Sequence, residues 1–170
     1  MVLFFFVLAS TGVFAQDELG TTFDVVVTKV RLASKFLEEK GAVGLAEFND
    51  PDGRWTWADT YVYVYDCEKG IVAAHPASEI VGVSIYERHD AKGYYFGQDM
   101  CDTAHKEFGG WLEYYRISDS ADTTDPNIEY RRKITYVYRV PGTPYIVGAG
   151  IYDPDMSLEE LNKKVEAFSY

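Results

Sequence analysis

Three phenols, Tyr61, Tyr63 and Tyr65, alternate with valines in the stretch "TYVYVYD" at residues 60–66, and an imidazole, His75, closes the next apolar run. Phenol hydroxyls and imidazole nitrogens donate and accept hydrogen bonds without carrying permanent charge at neutral pH. A file of them on one strand face is either amphipathic packing or the wall of a small polar pocket. Catalysis is the weaker reading. No Gly-x-Ser-x-Gly, His-Glu-x-x-His or phosphate-loop pattern occurs, and no nucleophile has an assigned base. The "DPDG" at 50–53 and the "DPD" at 153–155 lack the spread of oxygen ligands that a calcium loop needs, so they read as turns. The histidines, His75, His89 and His105, show no metal-ligand spacing. No metal and no cofactor is expected.

The elements that would position these groups follow from periodicity. Phe23, Val26, Val27, Val30, Ala33 and Leu37 recur at three- and four-residue spacing within residues 17–40, with Gly41 as the stop. That pattern predicts a long amphipathic helix. A short helical stretch at 43–48 follows, then "FNDPDGRW" breaks the chain. The period then changes to two. Strands are expected at 61–66 and 71–75 as a hairpin, and later at 111–117, 134–140 and 145–152. Residues 76–97 form a loop region, 99–108 a short helix, and 157–168 a closing helix with Ser157 and Glu160 as a capping box. The simplest assembly is an α+β domain, a five-stranded antiparallel sheet with the long helix across one face. Alternation puts Val62 and Val64 on one face and the three tyrosines on the other. The helix offers hydrocarbon, so the valines are its partners. The phenols then face a pocket, with Gly148 and Gly150 leaving room in the last strand.

The first fifteen residues, "MVLFFFVLASTGVFA", read as a secretory signal peptide, which gives 1–15 as leader and 16–170 as one domain exported to the periplasm or secreted. No later run is long enough for a membrane span. The net charge of −11 argues against nucleic acid and anionic membranes as partners. Two cysteines, Cys67 and Cys101, are the smallest set that closes a disulfide in an oxidising compartment, and a structural bridge is expected.

"DTYVYVYD", "AAHP", the following "VG", "GGWLEYYR", "KITYVYRV" and "TPYIVGAGIYD" together resemble a single Cache domain of the second type, a PAS-like extracellular input module of chemoreceptors and histidine kinases. The resemblance spans roughly residues 23–165 in matching order. It implies a small ligand held on the sheet face away from the long helix, under overhanging loops, and for this subtype a short carboxylate. Lys133 matches the lysine of the family's K-x-x-Y pattern and becomes the candidate anion partner, the alternative being a solvated lysine beside Arg131 and Arg132. Alternation sets Lys133 opposite Tyr136, so the pair requires a bend. The remaining candidate ligand residues are Tyr63 and Tyr136 as polar wall, His75 as donor, Trp111 and Tyr114 as cover, and Tyr95 on the overhang. Two functions stand side by side. One is an exported domain that senses or captures a small carboxylate. The other is an interaction module with a self-filled pocket that docks a membrane receptor or kinase.

Overall fold

The computed structural model describes residues 21–117, 129–152 and 155–168. The leader read at 1–15 lies outside them. Helix α1 runs Phe23–Lys40 and buries Val26, Val27, Val30, Ala33 and Leu37 completely, the stripe expected from their spacing. Gly41, at φ +60°, turns the chain, and its N–H bonds to the Leu37 carbonyl. A 3₁₀ segment, Gly41–Asn49, replaces the short helix expected at 43–48.

A two-stranded ribbon, β1 (Thr56–Trp57) with β2 (Thr60–Tyr61), was not legible in the sequence, because strands of two residues carry no period. The main sheet holds β3 (Tyr63–Asp66), β4 (Ile71–Ala74), β5 (Gly110–Ile117), β6 (Tyr130–Arg139) and β7 (Tyr145–Tyr152). Its order is β4-β3-β7-β6-β5, with every pair antiparallel. Helix α2 spans Gly97–Ala104. Helix α3, Leu158–Ala167, starts on a complete capping box between Ser157 and Glu160.

The two faces of the sheet have different partners. Val62, Val64, Ile134, Val147 and Ala149 pack on the apolar stripe of α1. Tyr63, Tyr65, Val72, Leu112, Tyr114, Val137 and Ile146 face the other way, toward Ile85, Phe96, Met100 and Ala104. That second layer is the overhang, residues 77–96 leading into α2. Three attachments hold it. Backbone bonds from Val72 to Val83 and from Ile85 to Gly70 run beside β4. The Cys67–Cys101 disulfide, with α-carbons 6.1 Å apart, ties the β3–β4 turn to α2 as expected from the cysteine count. Asp90 is buried and accepts from the backbone N–H groups of Lys92, Tyr94 and Tyr115, which pins the overhang to β5. Burial alone would raise the Asp90 pKa, but those N–H bonds and the nearby Lys92 leave it lowered.

Candidate functional site

Between the phenol face and the overhang lies a cavity of about 240 Å³, the volume of roughly eight water molecules. Its walls are set by strand register. Tyr63 stands beside Gly148, Val137 beside Gly148 on the other side, and Thr135 beside Gly150. An added Cβ at Gly148 would lie 2.5 Å from the Tyr63 hydroxyl, and one at Gly150 would lie 2.6 Å from Lys133 Cε. The two glycines are therefore the floor over which Tyr63 and Lys133 lie flat. The Tyr63 hydroxyl meets the Thr135 hydroxyl at 2.9 Å.

Lys133 is 3% exposed although it lies on a long strand. Its ammonium sits 5.1 Å from the Tyr61 ring centroid and 4.8 Å from that of Tyr152, so two π-faces hold it, and the negative field of Asp59 reaches it without an ion pair between them. Burial, followed by the field of Arg116, brings its pKa down to about 8. Tyr114 stands directly across from Lys133 on β5, and Arg116 is two residues further along the same face. Arg88 enters from the overhang, and its Nη1 is buried with no hydrogen-bond partner. Among the described residues, no carboxylate forms an ion pair with Lys133, Arg88 or Arg116. Glu79 is the acidic residue on the wall, and it is exposed.

His75 follows the end of β4, 93% buried from solvent by its 7% exposure, with its ring edge on Tyr61 at 4.6 Å between centroids. The Ala77 N–H donates to Nδ1 at 2.9 Å, so Nδ1 carries the lone pair and the ring proton belongs on Nε2. Burial and the positive fields of Arg88, Lys133 and Arg116 push its pKa down to about 3, so the ring is a neutral donor. Burial also raises the Tyr61, Tyr63 and Tyr114 hydroxyls and brings Tyr65 to about 12. The cavity thus presents protonated phenols, one N–H tautomer and three cations. That arrangement can hold an anion and lacks an activated nucleophile.

Tyr63, His75, Tyr114 and Lys133 are brought together by the fold on one cavity wall. Three other sequence candidates are not. Tyr136 and Trp111 pair across β5–β6 on the α1 side of the sheet, where Trp111 stacks on Phe23 and the Tyr136 hydroxyl bonds to the Phe108 carbonyl. The reason is parity. The β6–β7 ladder is regular, Tyr136 pairs with Ala149 rather than with a glycine, and the bend expected between Lys133 and Tyr136 does not exist. Tyr95 is 60% exposed, bridges to His89 on the overhang and does not reach the cavity.

Tyr61, Tyr65, Arg88, Arg116 and Glu79 line the cavity and were absent from the sequence candidates. Arg116 was findable, because alternation from Tyr114 along β5 gives it the same face. Arg88 was not, since an irregular loop has no period from which to read a direction.

A long helix behind a five-stranded antiparallel sheet, with a polar cavity on the opposite face beneath an overhang, defines a PAS-like ligand-sensing module of the Cache class. The sequence profile of Single Cache domain 2 matches residues 38–166, and the chain belongs to that family. Among solved structures it is similar to a methyl-accepting chemotaxis protein from Vibrio parahaemolyticus RIMD 2210633, with 19% identity over 77% of this chain and 83% of that one and a TM-score of 0.53. It is also similar to the Cache chemosensory domain described in a structural study of carboxylic acid recognition, with 18% identity over 78% of this chain and 88% of that one and a TM-score of 0.50. No curated protein shows significant sequence similarity to the chain. No helix among the described residues is long and apolar enough to cross a membrane.

Proposed function

We propose that this Cache domain binds a small organic carboxylate in the cavity between the phenol face and the overhang, for solute sensing or capture outside the cytoplasm. The observation that carries the reading is the buried, unpartnered Arg88 Nη1 together with the buried, unpaired Lys133. Buried polar groups are almost always satisfied, and a buried cation is costly without a compensating charge. A carboxylate supplies both needs at once. The Nε2–H of His75 and the phenol of Tyr61 add neutral donors at the same place. One structural relative, a Cache chemosensory domain, recognises carboxylic acids, the same ligand class. A volume of about 240 Å³ left open beside these groups disfavours a self-filled pocket. Residues 1–15 serve, in this reading, as the export leader, with cleavage before Gln16.

A thermal-shift screen with short carboxylic acids and their neutral amides tests the ligand class. A ligand that binds only the folded chain raises its melting temperature. Acids should raise it and amides of the same shape should not. Equal shifts by acid and amide, or none by any acid, would overturn the carboxylate reading. Mass spectrometry of the protein from an exporting host tests the leader, and an N-terminus at Met1 would refute it.

A further inference from the structure

Strand β5 is an edge of the main sheet, bonded to β6 on one side only. On its other side the backbone groups have to be satisfied residue by residue. Trp111 is clamped by one side chain of α3: its N–H donates to Asn162 Oδ1 at 2.9 Å, and its carbonyl accepts from Asn162 Nδ2 at 3.2 Å. Tyr115 is clamped by the overhang: its N–H donates to Asp90 Oδ2 at 2.9 Å, and its carbonyl accepts from the Ala91 N–H at 2.8 Å. Both residues therefore turn N–H and C=O away from β6. That direction alternates along a strand, so Glu113, midway between them, turns both groups outward as well. Among the described residues, neither group has a hydrogen-bond partner.

A groove of about 380 Å³ opens at this point, with Leu158 of α3, Tyr94 of the overhang and Leu112 among its walls. It shares no lining residue with the cavity beneath the overhang. The two clamps close it along the strand direction. Trp111 and Tyr115 are four residues apart, roughly 13 Å at the rise of a strand. A second sheet edge is too long for that slot, because it would have to displace Asn162 and Ala91. About three residues of extended chain fit. At the Tyr115 end stands Lys92, exposed, with its ammonium 3.1 Å from the Tyr115 ring centroid. The field of Lys92 reaches Asp90, but that carboxylate is committed to the backbone N–H groups of Lys92, Tyr94 and Tyr115. The Glu113 carboxylate is held by Arg132. Among the described residues, Lys92 forms no ion pair.

We propose that this groove is a second binding site, for a free peptide of about three residues that lies parallel to β5 with its C-terminal carboxylate at Lys92. One outward N–H and one outward C=O on the same residue are what an extended peptide complements by adding to a sheet edge. In the parallel direction the carbonyl of the first peptide residue accepts from the Glu113 N–H, and the N–H of the third donates to the Glu113 carbonyl. The third residue then ends at the Tyr115 side of the groove, where Lys92 supplies the complementary charge. An antiparallel peptide would carry its carboxylate toward Asn162 instead. Leu112, Leu158 and Tyr94 favour apolar peptide side chains. The site does not depend on what fills the cavity.

Amide-resolved NMR on the disulfide-bonded chain at neutral pH tests this with acetyl-Val-Thr-Val, whose β-branched residues favour an extended backbone. Without peptide, the Glu113 amide should exchange with solvent faster than those of Trp111 and Tyr115; a protected Glu113 amide would overturn the open edge. Millimolar peptide should shift the Glu113 resonance and slow its exchange, and no shift there would sink the site. The C-terminal amide of the same peptide should bind about threefold or more weakly, the size of one exposed charge pair. Lys92→Gln should remove that difference. Acid and amide binding alike to the parent chain would overturn the carboxylate contact. N-methylation of the third residue should weaken binding about tenfold or more, and N-methylation of the second should change it little. The reverse pattern would overturn the parallel arrangement. An N-terminally lengthened peptide that binds far more tightly would replace the free peptide by the tail of a partner protein. Shifts at Tyr63 and Lys133 with none at Glu113 would put the peptide carboxylate in the cavity, which refutes the edge site and leaves the carboxylate reading standing.

Discussion

The Arg31 guanidinium donates from Nε to the Tyr136 hydroxyl at 3.1 Å, and that hydroxyl donates onward to the Phe108 carbonyl at 2.6 Å. The chain of bonds links α1 to the sheet and to the loop before β5, on the face turned away from the cavity. Tyr136→Phe removes the hydroxyl that accepts from the buried Arg31 Nε–H and donates to the Phe108 carbonyl, which keeps only its longer bond from Arg31 Nη2 at 3.4 Å. The expected loss is about 1–3 kcal/mol of unfolding free energy, read by urea titration. Ligand affinity should stay within about twofold of the parent, since the two sites share no partner. A large loss of affinity with unchanged stability would return Tyr136 to the cavity.

Lys133 links binding to pH. In the unfolded chain its ammonium holds its proton to about 10.5, whereas the folded group releases it near pH 8. Between these values the unfolded state binds more protons, so the ligand-free protein should gain stability as pH rises from about 8 to 10. Above that the buried phenols act in reverse, because the unfolded tyrosines ionise first. Lys133→Met should abolish the gain between pH 8 and 10, raise ligand-free stability at pH 7, and cost about 2–4 kcal/mol of carboxylate binding. Chemical unfolding across this pH range and calorimetry at pH 7 check the three effects. An unchanged pH slope in the variant would show that the lysine is solvated.

His75 should remain neutral well below the usual histidine range. Its folded pKa near 3 lies below the unfolded value of 6.5, so its contribution is present above pH 6.5 and is lost as pH falls toward 3. Nitrogen-detected NMR at pH 7 should show a proton on Nε2 and none on Nδ1, with no titration of this ring between pH 7 and 5. A midpoint near 6.5 would contradict the burial and the three cationic fields.

Gly148→Ala should be poorly tolerated although it adds only a methyl group. The new carbon would meet the Tyr63 hydroxyl, whose bond to Thr135 fixes the ring over the strand. Overpacking of this kind costs about 1–3 kcal/mol. Gly148→Ala combined with Tyr63→Leu should recover part of it, because the shorter side chain withdraws the clashing atoms. Thermal denaturation of the single and double variants reads the recovery.

The disulfide should stabilise the overhang as well as the fold. Cys67 and Cys101 are 34 residues apart in sequence, and closing such a loop contributes about 3–4 kcal/mol on the chain-entropy model. The Cys67→Ser, Cys101→Ser double variant should unfold at correspondingly lower urea and bind its ligand more weakly, since Arg88 depends on the overhang for its position. Parent-like stability in the variant would show that Asp90 and the β4-side backbone bonds suffice.

Much of the architecture was legible in the sequence because each element carries its own period. The stripe from Val26 to Leu37 could only be one face of a helix, and Val62 and Val64 could only oppose Tyr61, Tyr63 and Tyr65. Two cysteines left one pairing. The division of the sheet into a hydrocarbon face and a phenol face followed from these local facts. Lys133, Tyr63, Tyr114 and His75 came from the resemblance and from strand ends, and tertiary structure decided whether they meet. Which half of β6 faces the cavity depends on its pairing with β7, and a one-residue change in parity exchanges Tyr136 for Thr135 and Lys133. Alternation already separated Lys133 from Tyr136; only the observed register says which of the two turns inward. Arg88 lies on a loop with no repeat, held by Asp90, a disulfide and backbone bonds to residues distant in sequence. Its direction is a property of those long-range contacts, so the charge of the site, opposite in sign to that of the whole chain, could be decided only by the folded structure.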